Sequence, residues 1–344
     1  MDWRLAFLRS IGWFSFFILL ILVIFVLSLS TGILPIGFRE ILAILAGSGT
    51  PQQELVLYQL RLPRMVIALL IGAGLALSGA ILQGLSRNSL ADPGILGINA
   101  GAGLAVVLCI FLLQGQSNSS LLSSPFFLPL FAFVGALTVA LMIYTFSWKD
   151  GIDPRRLLLI GIGFNALCGA LLMILQMKMD PRNFQKAAIW LTGSIWGTQW
   201  RYVWALLPWL ITLIPIIFLK ARTMNLLQLS EPVPTALGLN VETQRRILLC
   251  LSAALAGACV AVGGGISFIG LLAPHLARRL TGPNYYSLLP LSALIGAAIL
   301  LLADMIGKNL LAPADIPVGV VVSIIGAPYL IYMLLTRKGA GIDS

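Results

Sequence analysis

The sequence predicts an all-α polytopic membrane protein of about ten transmembrane helices. Three observations predict it. Only 10% of the 344 residues are charged, against about 25% in a soluble domain. Mean hydropathy is +0.99. Apolar runs long enough to cross a bilayer return along the whole chain, separated by polar turns. The formal net charge of +10 then reflects basic residues gathered at the cytoplasmic ends of spans. It does not indicate a nucleic-acid partner.

The first span is expected at 11–31. Arg4 and Arg9 precede it, and about twenty apolar residues at ~1.5 Å each cross a ~30 Å hydrocarbon core. That run is too long for the core of a signal peptide, and no A-x-A site follows, so it reads as a retained helix. The second span, 62–84, starts at "RLPR" and runs into the polar, glycine-studded turn "GLSRNSLADPG". The third, 93–113, is short and built from small residues. The fourth and fifth are expected at 126–147 and 156–177, and the sixth at 195–219. A long connection over 220–246 follows, carrying Pro232, Pro234 and Gly238; it reads as two short helices bent at the glycine. The remaining spans are expected at 246–263, 266–280, 286–306 and 318–335.

Small residues recur where helices must approach. Lipid gives no hydrophobic drive for association, so close packing of small faces supplies it. Gly72, Gly74, Ala76, Ser78, Gly79 and Ala80 serve the second span. Gly97, Gly101 and Gly103 serve the third, Gly161, Gly163 and Gly169 the fifth, and Gly257 with Gly263 to Gly265 the seventh. "LSGAILQGLSRNSLADPG" is weakly echoed by "VGGGISFIGLLAPHLARRLTG". With spans 2–5 starting outside and spans 7–10 starting inside, the echo is that of an inverted repeat; glycine-rich packing is the other explanation.

With the N-terminus inside, the inner loops hold most of the Lys and Arg, including Arg87, Arg155, Arg156, Lys220, Arg245, Arg246, Arg278 and Arg279. Fewer lie outside, and these need a reason: Arg39, Arg61, Arg64, Lys178, Arg182, Lys186, Arg201 and Lys308.

Several chemistries are missing from the sequence. No G-x-x-x-x-G-K-[ST] occurs, since Gly307–Lys308 is followed by Asn309, so no P-loop forms. A single histidine, His275, makes a metal cluster hard to assemble. Cys109, Cys168, Cys250 and Cys259 lie in apolar segments as small buried residues, not as a disulfide framework. An ion-coupled carrier usually holds a carboxylate inside a span. Asp304 is the nearest candidate, but Lys308 follows four residues later on the same helix face, so a local pair is expected. Asn165, Gln176 and Ser323 are polar groups within spans that either line a path or make interhelical hydrogen bonds.

Five stretches together resemble the FecCD-type permeases, which include iron–siderophore, haem and cobalamin importers. They are "RLPRMVIALLIGAGLALSGAILQGLSRNSLADPGILGINAGAG", "LGLNVETQRR", "GGGISFIGLLAPHLARRLTG", "LLLADMIGK" and "DIPVGVVVSIIGAPYLIYML". The resemblance runs over essentially the whole chain, with these stretches in order. The resemblance implies an inverted-repeat type II ABC importer permease fold. The single permease domain would span 1–344, with repeat halves at 62–177 and 246–335 and a cytoplasmic coupling loop at 220–246. It implies a pair of permease subunits, identical or homologous, in the bacterial cytoplasmic membrane with both termini inside. Two ATP-binding subunits would dock below and an extracytoplasmic substrate-binding protein above, with membrane lipid around and no nucleic acid. The missing P-loop fits, because a partner would hydrolyse ATP.

Residue by residue, the resemblance assigns Arg61, Arg64 and Lys308 to docking of the binding protein. Lys308 stands where a relative carries arginine. Glu231, Thr235, Ala236, Leu237, Gly238, Leu239 and Asn240 match the ATPase-coupling loop, with His275 and Arg278 supporting it. Asp153 and Pro154 match the turn that narrows the inner exit, although small hydroxyl residues stand there in a relative. The cargo is expected to be a ferric siderophore, carried as a chelate, with no metal or cofactor bound by the chain itself. An ion-coupled secondary transporter and a membrane enzyme are the rival classes. The first needs a sensitive intramembrane carboxylate, the second a cluster of reactive residues at one depth.

Overall fold

The computed structural model describes residues 3–32, 34, 37–114, 126–148, 154–229 and 232–336. Among them are fifteen α-helices and no β-strand. In order, α1 is Trp3–Ser30, α2 Phe38–Leu45 and α3 Pro51–Glu54. A π-helical segment, Leu55–Arg61, leads from α3 straight into α4, Leu62–Ser86. Then come α5 (Ile98–Leu112), α6 (Phe127–Ser147), α7 (Pro154–Met177), α8 (Pro181–Thr192), α9 (Trp200–Leu219), α10 (Ala221–Leu227) and α11 (Pro232–Ala236). The chain closes with α12 (Val241–Gly263), α13 (Ile269–Thr281), α14 (Tyr285–Leu310) and α15 (Val318–Thr336).

Each expected span coincides with a helix. Eight helices are long and apolar enough to cross a membrane. The other two, α5 and α13, are roughly 20 Å long, short of a hydrocarbon core of about 30 Å. Irregular backbone at 88–97 and 264–268 precedes each of them. It is tolerated because protein, not lipid, surrounds it. Three helices therefore start later than expected, at Ile98, Trp200 and Ile269, each after glycines with positive φ: Gly97, Gly193 and Gly197, and Gly264. Conversely α12 starts at Val241, before the expected 246. Its first turn is capped by Asn240, which accepts from Thr243 N at 3.1 Å.

Two features lay outside hydropathy. α8 carries Arg182 and Lys186, and its N-cap Asp180 accepts from Asn183 N at 2.9 Å; it is too polar to register as a span. The π segment has a local cause. Leu62 N reaches Leu57 O, five residues back, so the next donor owed to Tyr58 O would be the amide of Pro63, which has no N–H. The indole of Trp200 at the start of α9 fills the gap, donating to Tyr58 O at 2.7 Å.

The core is a tight pair, α4 against α14. A Cβ on Gly72 or on Gly296 would run into the other's carbonyl oxygen. α12 joins this core through a reciprocal bond: Ser78 Oγ donates to Ser252 O at 2.9 Å, and Ser252 Oγ to Ser78 O at 3.1 Å. α4 also packs on α13, while α12 packs on α5 and α6. α5 meets α6 through Gly101 and Gly135. α1, α7, α9 and α15 lie outside and present apolar side chains outward, Phe16, Leu19, Leu159, Met173, Ile211 and Ile324 among them, as lipid requires. Two expectations are corrected here. Gly163 and Gly169 face open space, and only Gly161 of that helix is packed within the chain, on Leu96. Cys250 is exposed on α12, whereas Cys109, Cys168 and Cys259 are buried; all four are free.

Candidate functional site

At the end of the bundle where α4 begins, charge is concentrated. Arg64 Nε donates to Asp304 Oδ1 at 2.7 Å, and its Nη1 to Asp315 Oδ2 at 3.1 Å. Asp304 is fully buried on α14, and Asp315 lies in the turn before α15. The planar fork of an arginine suits two carboxylates at once. Lys308 Nζ donates to Ser28 O at 2.6 Å and to Ser28 Oγ at 2.7 Å, tying α14 to α1. The Arg61 guanidinium donates to the carbonyls of Leu29 and Leu34. These side chains border a cavity of about 410 Å³ whose wall also holds Trp196 and Thr198.

The structure thus brings Arg61, Arg64 and Lys308 together, each also engaged inside the chain. The expected pair along α14 is corrected: Asp304 takes Arg64, because the Lys308 chain runs to α1 instead. Three cations against two carboxylates leave the cavity positive, a field that favours an approaching carboxylate.

At the opposite end, α10 is fastened on several sides. Arg87, in left-handed conformation at φ 49°, donates through Nη2 to Leu227 O at 3.3 Å and Leu229 O at 3.1 Å. Asn225 Nδ2 donates to Asn284 Oδ1 at 3.0 Å, and Asn225 Oδ1 accepts from Tyr285 N at 2.9 Å. Gln228 donates to Pro283 O at 3.2 Å, and Lys220 to Gln244 Oε1 at 2.9 Å. From this platform α11 projects. Thr235, Ala236, Leu237 and Gly238 are exposed, Leu239 is partly covered, and Asn240 is exposed as the cap of α12. The expected bend is corrected in position: both short helices precede Gly238, whose φ of +77° ends the segment. Glu231 and Asp153 lie outside the described residues. Pro154 is the first residue of α7.

The remaining path candidates do not meet. Ser323 lines a groove of about 490 Å³ with Thr192, Gly265 and Gly319, and its Oγ donates to Gly319 O at 2.8 Å. Asn165 lies on α7 beside Gly97, Gln176 near the end of the same helix, and neither lines that groove.

Sequence reasoning missed Asp315, Ser28, Trp200 and the role of Asp92. Asp92 is buried. Its carboxylate accepts from Gly94 N at 2.7 Å and lies against Gly270 in the first turn of α13. Pro63, a proline inside a helical run, was the available signal for Trp200.

This arrangement runs through residues that match known proteins over almost their whole length. The model of the FecCD transport family matches residues 19–336. The chain belongs to the FecCD transport family. It is 51% identical over 317 residues to the iron(3+)-hydroxamate import system permease protein FhuG of Bacillus subtilis, covering 92% of this chain and 94% of that one. It is 40% identical to the hemin transport system permease protein HmuU of Yersinia pestis, over 94% and 95% of the two chains. Among solved structures it resembles an inward-facing metal-chelate type ABC transporter, with a TM-score of 0.83 at 32% identity, covering 94% of this chain and 98% of that one. As a FecCD permease, the chain is a membrane component with many apolar helices.

Proposed function

We propose that this chain is the membrane-spanning permease subunit of an ATP-driven importer that moves a metal chelate, a ferric siderophore, into a bacterial cytoplasm. The observation that carries the reading is the α10–α11 platform. A short exposed helix, ended by a left-handed glycine, stands on a base hydrogen-bonded to α4, α12 and α14. A helix so mounted suits a groove in a cytoplasmic ATP-binding subunit, and the chain has no P-loop of its own. The iron-hydroxamate relative supports the siderophore cargo; haem or cobalamin is the alternative within the same class, the hemin permease favouring the former.

In this reading the Arg64 end faces outward and the Arg87 end inward, with both termini cytoplasmic. The positive cavity receives carboxylates of an extracytoplasmic binding protein. The crossed packing of α4 on α13 and α14, and of α12 on α5 and α6, supports two repeat halves of opposite topology. A second permease, identical or homologous, completes the pathway, and the open faces of Gly163 and Gly169 are free to meet it. An ion-coupled carrier is disfavoured because Asp304 is already held by Arg64.

The test is co-expression with the neighbouring genes, purification in mild detergent, mass spectrometry and uptake of a radiolabelled ferric hydroxamate into proteoliposomes. A stoichiometric P-loop ATPase with ATP-dependent uptake is expected. A chain that purifies alone and transports without ATP would overturn the reading.

A further inference from the structure

Resting on that importer reading, we infer that the turn at residues 87–97 is a stiff strut through which the α10–α11 platform moves α13. The strut is anchored at both ends. At one end Arg87 holds the carbonyls of Leu227 and Leu229, which close α10. At the other, the buried Asp92 side chain lies against Gly270 at the start of α13, so close that a Cβ on Gly270 would sit 2.8 Å from Asp92 Oδ2. Asn99 adds a second tie to the same region, donating to Ile266 O at 2.9 Å.

Between these anchors there is little slack. Asn88 Oδ1 accepts from Leu90 N at 2.9 Å, and Asn88 O accepts from Ala91 N at 3.1 Å. Asp92 O accepts from Leu96 N at 3.0 Å, and Pro93 O from Ile98 N at 3.1 Å. Ala91, Asp92 and Pro93 are buried. Gly270 lets the turn come close: a Cβ there would sit 2.8 Å from Asp92 Oδ2 and 2.9 Å from Pro93 Cδ.

The far end of α13 is held by the same platform, since Asn225 and Gln228 bond to Asn284 and Pro283 in the turn that follows it. α13 is therefore gripped at both ends by one segment and must follow it. Its N-cap, Phe268, delivers the movement. Phe268 has a φ of 69°, a conformation costly for a bulky residue and sustained only by its surroundings. Its side chain lies against Gly326 of α15, where a Cβ would be 2.8 Å from Phe268 Cβ. Tilting of α13 therefore presses directly on α15, the helix that carries Ser323. Arg87 and Asp92 are positioning residues in this scheme and touch no cargo.

The experiment measures ATP hydrolysis and ferric hydroxamate uptake together, in proteoliposomes holding the whole complex. Arg87→Ala is expected to keep its ATPase partner and its hydrolysis while uptake per ATP falls at least about fivefold. Arg87→Lys is expected to stay near the parent, because both carbonyls are met by one nitrogen that an ammonium can replace. A purely structural defect would lower hydrolysis and uptake together and would not be rescued by lysine; that result overturns the strut, as does normal coupling in Arg87→Ala. If the alanine variant does not assemble, Arg87→Gln carries the same comparison. The parent complex is measured first: if it brings no ATPase, the importer reading fails and the strut with it, whereas a coupled parent with an equally coupled variant sinks the strut alone.

Discussion

Asp304 Oδ2 is buried and meets no hydrogen-bond donor, so the neutralisation of Asp304 depends on Arg64 at its other oxygen. Removing one partner of a buried pair leaves an uncompensated charge and typically costs about 3–5 kcal/mol. Arg64→Ala is therefore expected to lower the unfolding temperature in detergent sharply. Asp304→Ala should cost less, because Arg64 keeps Asp315 and is itself partly exposed. The double variant should be more stable than the sum of the two losses predicts, by about 1–3 kcal/mol. Additive losses would mean the pair is not coupled. At this scale the sequence was legible in place but not in partnership. "RLPR" marked two arginines that needed a reason to stand outside. The two carboxylates of Arg64, however, lie 240 and 251 residues further on, and no local spacing rule reaches that far. The i,i+4 rule instead pointed Asp304 at Lys308, and the fold overrode it.

Helices were legible where one property decides them. Long apolar runs gave α1, α4, α6, α7, α9, α12, α14 and α15, because the bilayer admits few alternatives. α8 was not legible, since an amphipathic helix with two basic residues has no span-like hydropathy. The π segment follows locally from Pro63, but the indole of Trp200 that meets Tyr58 O is a tertiary contact. Glycine function was half legible: sequence shows which faces are small, not which of them has a neighbour. Gly72 and Gly12 separate the two cases. Gly72 faces the backbone of Gly296, which cannot yield, whereas Gly12 on α1 has nothing within 4 Å. Overpacking costs roughly 1–3 kcal/mol even where side chains can shift, so Gly72→Ala is expected to cost at least ~2 kcal/mol and to deplete monodisperse protein in size-exclusion chromatography. Gly12→Ala should leave the profile unchanged and gain about 0.5–1 kcal/mol of helix propensity. Equal behaviour of the two variants would dissolve the claim that α4 and α14 are in backbone contact.

For the molecule as a whole, the sequence carried the all-helical, multi-span class, because apolar runs need no tertiary knowledge to be read. It did not carry the depth at which α5 and α13 begin. That depth goes with Gly270 meeting both Asp92 and Gly79, contacts made only once the chain has closed. The orientation proposed from the charge bias has a direct consequence. Gln52 on α3 is exposed and lies just before the Arg64 end, and Arg222 on α10 is exposed at the Arg87 end. Of the native thiols three are buried, and Cys250 is exposed midway along the apolar helix α12, so the parent chain is the control. In intact cells a membrane-impermeant maleimide is therefore expected to label Gln52→Cys and to spare Arg222→Cys until the membrane is opened. The reverse pattern would turn the bundle over. The positive cavity would then face the cytoplasm and the α11 platform the outside, where no ATP-binding subunit could reach it, and the importer reading would fall together with the orientation.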